Sequence, residues 1–184
     1  MLGESRGLEN LNPKFVERLL GLTEACESIG FDLKVGCTLR TPDAQAQLWC
    51  RSRSNQEVSI RRQTLGSLAP RLASLLKDEY CGLGPEVTNH LPGESWHQWG
   101  EAADVYVLVG TVAAWDGSTV KHVAEAAKEV GLFHSYEYKG YWLPKRRNWH
   151  VQFRNTETPL RTTGFAPTWR LIEEEMVSRF KDQF

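Results

Sequence analysis

Residues 102–109 read Ala-Ala-Asp-Val-Tyr-Val-Leu-Val, an apolar strand with a carboxylate set inside it. Few features constrain a fold more. An ionised side chain taken out of water is costly unless a partner compensates it. A fold that accepts this strand must therefore bring a donor or a cation to Asp104. His97 stands upstream, in a loop after a turn at Pro92-Gly93. His150 opens a second apolar strand, His150-Val151-Gln152-Phe153. Imidazole nitrogen and carboxylate oxygen both suit zinc, at about 2.0–2.2 Å. His97, Asp104 and His150 thus form a three-ligand set that leaves a fourth position for water. The plainer alternative is a hydrogen-bonded His97–Asp104 pair with His150 as a core histidine. His122 falls on the polar side of a helix, and His90 and His134 fall in loops without a carboxylate at a telling spacing.

The rest of the chain reads as a mixture of helices and short strands. Asn12 and Pro13 open a helix whose apolar residues Phe15, Leu19, Leu22, Cys26 and Ile29 recur at helical spacing, and Gly30 ends it. Phe31 to Cys37 alternates as a strand, and Thr41-Pro42 starts a helix running to about Arg51. Helical spacing returns from Leu65 to Leu76, broken by Pro70, and Val87-Thr88 reads as a short strand. Ser118 or Thr119 caps a helix to Val130 with Gly131 as its stop, an aromatic loop spans Phe133 to Trp142, and a last amphipathic helix covers about Thr168 to Phe180. The expected fold class is α+β, a small central antiparallel sheet flanked by helices, in a single domain over residues 1–184.

Composition narrows the function classes. With 184 residues, 41% hydrophobic and 24% charged, the chain has an ordinary globular balance and room for a core. A net charge of -1 creates no global field toward nucleic acid or an anionic membrane. No apolar stretch approaches the roughly 20 residues of a membrane span, and the N-terminus has no secretory pattern. Synthesis in the cytoplasm is therefore expected, with release or delivery by another system for any target outside. The clusters Arg51, Arg53, Arg61, Arg62 and Lys145-Arg146-Arg147 read as solvated loops, or else as contacts for an anionic partner. Cys26, Cys37, Cys50 and Cys81 contain no C-x-x-C pair. Cys26 and Cys37 occupy apolar positions expected to be buried, and a cysteine nucleophile is the minor alternative.

The segment Ser95-Trp96-His97-Gln98-Trp99-Gly100-Glu101-Ala102-Ala103-Asp104 fits S-x-H-x-x-G-x-A-x-D at every fixed position. With a Trp-His pair opening a strand far downstream, it resembles the zinc peptidases of the D-alanyl-D-alanine carboxypeptidase and L-alanyl-D-glutamate peptidase family. That family includes VanY-like enzymes and phage endolysins and shares its metal fold with hedgehog domains. Two further segments are similar: Thr38-Leu39-Arg40-Thr41-Pro42 with Gln45 and Leu48, and Val87-Thr88-Asn89 before Pro92-Gly93, the latter like the endolysin branch. The resemblance spans roughly Leu11 to Phe153.

It implies a zinc ion on His97, Asp104 and His150 that polarises a scissile carbonyl and activates water. Arg40 would bind the substrate carbonyl or its developing negative charge. Gln45, Ser95 and Trp149 would support substrate binding, and Trp96, Trp99, Tyr141, Trp142 and Trp149 would wall the cleft. One position departs from the family. A carboxylate that moves the proton is expected three residues before the last histidine, and Arg147 stands there. An arginine cannot act as that base. Glu137 is the nearest upstream carboxylate that could serve. The implied activity is hydrolysis of the peptidoglycan stem peptide by a monomeric endolysin- or toxin-like endopeptidase. The alternatives are a D,D-carboxypeptidase, a wall-binding module that does not cut, and a metal-stabilised interaction domain like the hedgehog relatives.

Overall fold

The computed structural model describes residues 5–114, 117–135, 150–153 and 169–184. The chain divides into two compact units. One comprises residues 5–39 with the described part of 99–155; the other comprises 40–98 with the C-terminal segment.

The first unit is built on an antiparallel sheet. Its strands are β1 (Asp32–Val35), β2 (Ala102–Val109), β3 (Val112–Ala114), β4 (Leu132–His134) and β5 (His150–Phe153). The order is β1-β2-β5-β4, with β3 also on β2. β2 is the organising strand, because it is long enough to pair β1 through Val105–Leu108, β5 through Ala102–Asp104 and β3 through Val107–Val109. Alternation sends Ala103, Val105 and Val107 to one face with Val151, Phe153 and Leu132, where they join the core. Helix α1 (Pro13–Ser28) covers this face with Phe15, Leu19, Leu22 and Cys26. Its start follows the expected chemistry: the Lys14 N–H donates to Asn12 Oδ1 (3.0 Å), and Pro13 fills the first turn. Phe15 meets Phe153 edge-on with ring centroids 5.3 Å apart. Deleting such a buried ring typically costs about 3–5 kcal/mol. Burial lifts the Cys26 thiol to about 11, so it stays protonated.

Helix α5 (Gly117–Glu129) completes the layer with Val120, Val123 and Ala127. It begins before the expected cap, so Thr119 lies inside the first turn and is buried. Gly131, at φ 76°, ends it as expected. His122 is exposed as expected, its Nδ1 2.8 Å from the Ser118 carbonyl oxygen. Two corrections concern strands. The hairpin partner β3 has no counterpart in the sequence reading. The expected aromatic loop begins instead with β4, which places His134 in the sheet, fully buried, rather than in a loop. A three-residue strand carries too little periodicity to be told from a loop.

The second unit is helical. Helix α2 (Pro42–Cys50) is capped by Thr41, whose Oγ1 accepts the Ala44 N–H (3.2 Å). Helix α3 (Asn55–Gly66) starts with a capping box, Ser54 and Glu57 satisfying each other's backbone N–H groups. Pro70, which interrupts the apolar spacing, opens the short helix α4 (Pro70–Ser74). Ala69 cannot cap it, and the Glu173 carboxylate of helix α6 (Trp169–Arg179) does so, accepting the N–H groups of Arg71 (2.7 Å) and Leu72 (3.1 Å).

The expected strand at Val87-Thr88 does not form. The Thr88 carbonyl is taken up by a side chain instead, accepting from the Arg53 guanidinium (3.4 Å). The first arginine cluster is not one continuous solvated loop. Arg61 and Arg62 lie in α3. Arg53 stacks over Trp49 at 4.0 Å and donates to Asn89 (2.9 Å), while Arg62 donates to the Leu76 carbonyl (3.0 Å) and Asp78 (2.9 Å). Among the described residues, no helix is long and apolar enough to cross a membrane.

Candidate metal centre

Asp104 and His150 face each other directly across the β2–β5 ladder. Asp104 is partly exposed, like Tyr106 and Leu108 on the same face of β2, because its side chain leaves the core face. Its Oδ1 lies 3.4 Å from His150 Nδ1. Two donors about 2.0–2.1 Å from one tetrahedral zinc stand about 3.3 Å apart, so this pair already has the spacing that zinc demands. The other His150 nitrogen is engaged as well: Nε2 donates to Gln152 Oε1 at 2.9 Å.

Cys37 adds a sulfur donor to the neighbourhood. The chain runs past β1 alongside β2, with Gly36 N–H donating to the Asp104 carbonyl (2.7 Å) and Asp104 N–H donating to the Cys37 carbonyl (2.8 Å). This brings Cys37 Sγ within 4.8 Å of an Asp104 carboxylate oxygen. Cys37 is half-buried rather than a core thiol, because β1 ends at Val35 and the chain beyond it follows the ladder edge. An oxygen, a nitrogen and a nearby sulfur are donors that zinc accepts.

His134 sits on β4 opposite Val151. Burial, and then the neighbouring His150, lower it to about 4, so it is neutral at physiological pH. Glu101, the acid nearest Asp104 in sequence, is buried against the start of α1 and accepts from Asn12 Nδ2 (3.2 Å).

His97, Ser95, Arg40 and Gln45 belong to the other unit. His97 lies on a 3-10 turn, Trp96–Trp99, and is buried. Gln98 holds the approach to that turn, its Oε1 accepting the N–H groups of Gly93 (2.8 Å) and Ser95 (3.4 Å). The His97 carbonyl accepts the Arg40 N–H (3.3 Å), which sets Arg40 beside the turn. Arg40 Nη1 donates to Gln45 Oε1 (3.2 Å), and Gln45 Nε2 donates to the His90 carbonyl (2.7 Å) and Thr88 Oγ1 (3.3 Å). Gln45 is fully buried, so its amide is an internal clamp on the Arg40 head. Trp99 is buried and Trp96 half-buried. Glu137, Tyr141, Trp142, Arg147 and Trp149 lie outside the described residues.

Cys37 and Gln152 are the neighbours that sequence reasoning did not single out. Gln152 had a signal, because residues two apart on a strand share a face. Cys37 had none, since its proximity to Asp104 comes from chain pairing.

No curated protein matches the chain. Solved structures similar to it include the L-Ala D-Glu endopeptidase ChiX of Serratia marcescens, at 16% identity over 79% of this chain and 82% of that one, with a TM-score of 0.45. A mutant of the vancomycin-resistance D,D-pentapeptidase VanY in complex with Zn(II) is similar at 15% identity over 96% and 90% of the two chains, with a TM-score of 0.49. The LD-carboxypeptidase LdcB is similar at 17% identity over 93% and 68%, with a TM-score of 0.46. The family model VanY, D-alanyl-D-alanine carboxypeptidase, matches residues 8–156, which take in the 95–104 motif and the β5 histidine. The protein belongs to the VanY family of D-alanyl-D-alanine carboxypeptidases.

Proposed function

We propose that this chain is a zinc-dependent peptidoglycan peptidase that hydrolyses the stem peptide, with His97, Asp104 and His150 as the metal ligands. The observation that carries the reading is the facing pair Asp104 Oδ1 and His150 Nδ1, 3.4 Å apart on adjacent strands. The fit of Ser95, His97, Gly100, Ala102 and Asp104 to the family motif supports His97 as the third ligand. When bound, zinc supplies a Lewis acid that polarises a carbonyl and activates water.

The remaining roles fall to the chain's own groups. Arg40 binds the substrate carbonyl and the negative charge that develops on it. Gln45 fixes the direction of that guanidinium, and Ser95 and Trp149 are assigned to substrate binding on the family resemblance. Glu137 handles the proton in place of the carboxylate that Arg147 displaces. The segment Val87-Thr88-Asn89 with Pro92-Gly93 favours an L-alanyl-D-glutamate or related endopeptidase of endolysin or toxin type, acting on the wall after release or delivery. A D,D-carboxypeptidase is the alternative within the family.

Arg147 favours a second reading, a metal-containing module that binds wall peptides without cutting them. Purified muropeptides incubated with the zinc-loaded protein, with and without chelator, separate the readings by mass spectrometry. Cleavage between L-Ala and D-Glu supports the endopeptidase, and released D-Ala supports the carboxypeptidase. Chelator-insensitive binding without product removes the enzyme. His97→Ala is expected to abolish both zinc binding and cleavage, and a variant that still binds zinc refutes the ligand set.

A further inference from the structure

We propose that Gln152 is a positioning residue that holds His150 in one tautomer, so that Nδ1 presents its lone pair beside Asp104. The inference deepens the zinc reading above and rests on it for its purpose.

β5 alternates, so His150 and Gln152, two residues apart, leave the strand on the same side as Asp104. Gln152 is 8% exposed, and its cross-strand neighbours are Ala102 and Phe133. Ala102 has no side chain beyond Cβ to obstruct the amide, and the Phe133 side chain is an apolar ring. Gln152 Oε1 lies 2.9 Å from His150 Nε2. A carbonyl oxygen only accepts, so the nitrogen facing it carries the hydrogen. Neutral imidazole has one ring N–H, which leaves Nδ1 as the lone-pair nitrogen. That nitrogen is the one 3.4 Å from Asp104 Oδ1. Metal-bound histidines commonly donate their second ring nitrogen to such an acceptor, which fixes tautomer and ring orientation before the metal arrives. An amide suits this purpose because it accepts without adding a charge beside the carboxylate ligand.

The test reads the tautomer directly. Nitrogen-15 spectra of the metal-free protein are expected to show His150 Nε2 protonated and Nδ1 unprotonated. Gln152→Met removes the acceptor at similar volume, so the His150 signals should move toward a mixture. Zinc affinity, measured by competition with a chromophoric chelator, should then fall about 10–100-fold. Gln152→Glu keeps an acceptor and should restore both the tautomer and most of the affinity. An unprotonated Nε2 in the unsubstituted protein overturns the proposal. So does a Gln152→Met protein with unchanged tautomer and affinity, or a Gln152→Glu protein as impaired as Gln152→Met. If the unsubstituted protein shows the expected tautomer but binds no zinc, the zinc reading falls while the assignment of Gln152 to the His150 tautomer stands.

Discussion

His134 makes the stability of this protein depend on pH in a calculable way. The side chain is fully buried on β4. Burial, with His150 as the lesser cause, holds it at about 4 against an ordinary value of 6.5. The unfolded chain therefore binds a proton near pH 6.5 that the folded chain refuses until about pH 4. Stability is full above the unfolded value and is lost as pH falls through this window. At 1.36 kcal/mol per unit, the loss is about 2 kcal/mol at pH 5 and about 3 kcal/mol by pH 4. Urea unfolding at pH 7.5, 5 and 4, with chelator throughout so that release of any metal drops out, measures it. At a slope of about 2 kcal/mol/M, the midpoint should fall by roughly 1.5 M between pH 7.5 and 4 from this group alone. His134→Leu keeps the site apolar and cannot titrate, so its profile should lack that component whatever its stability at pH 7.5. Profiles that stay parallel within about 0.5 kcal/mol would refute the assignment of the loss to His134.

The second unit gives sharper local predictions. Gln45→Leu removes hydrogen bonds to Arg40, His90 and Thr88 inside a buried site and should destabilise by about 3 kcal/mol, read as a urea midpoint shift; a loss below about 0.5 kcal/mol would show that the clamp is not formed in solution. Gly93 adopts φ 94°, where an added Cβ would overlap Ile172 Cγ2, so Gly93→Ala should cost about 2–3 kcal/mol in thermal melts, part of it recovered by Ile172→Val. Ser54→Ala removes one half of the α3 capping box and should cost about 1 kcal/mol, with faster amide exchange confined to the first turn of α3.

Legibility in the sequence followed the length and strength of each local signal. α1 was readable because Asn12, Pro13 and a run of spaced apolar residues all agree; the structure buries Phe15, Leu19, Leu22 and Cys26, whereas Ile29 follows the last turn and is exposed. β2 was readable from its continuous Val-rich run, and Asp104 from the conflict it creates there. The short elements were not. β3 and β4 are three residues each and exist because longer strands recruit them. Val87-Thr88 has strand-forming residues, yet the Arg53 and Gln45 side chains take up Thr88 instead. α3 carried a legible start, Ser54 with Glu57 three residues on, but its exposed, charged face hid the apolar pattern. The Asp104–His150 pairing could be expected from chemistry, whereas its register could not, because that depends on which residues β2 and β5 place opposite each other.

That register is what ties the fold to the chemistry. Ala103 opposite Val151 points both into the core, and the same alignment puts Asp104 opposite His150 on the other face. Side chains repeat every two residues along a strand, so a slip of one position would exchange the faces of the whole strand. Val151 and Phe153 would then leave the core, and His150 and Gln152 would enter it. The apolar cost of that exchange, about 1.5–3 kcal/mol for each large side chain exposed, holds the ladder in place without any help from a metal. The facing pair is thus a by-product of core packing. Its 3.4 Å spacing is set by the packing of residues on the opposite face of the sheet, and the proposed part of Gln152 is only to choose the ring nitrogen.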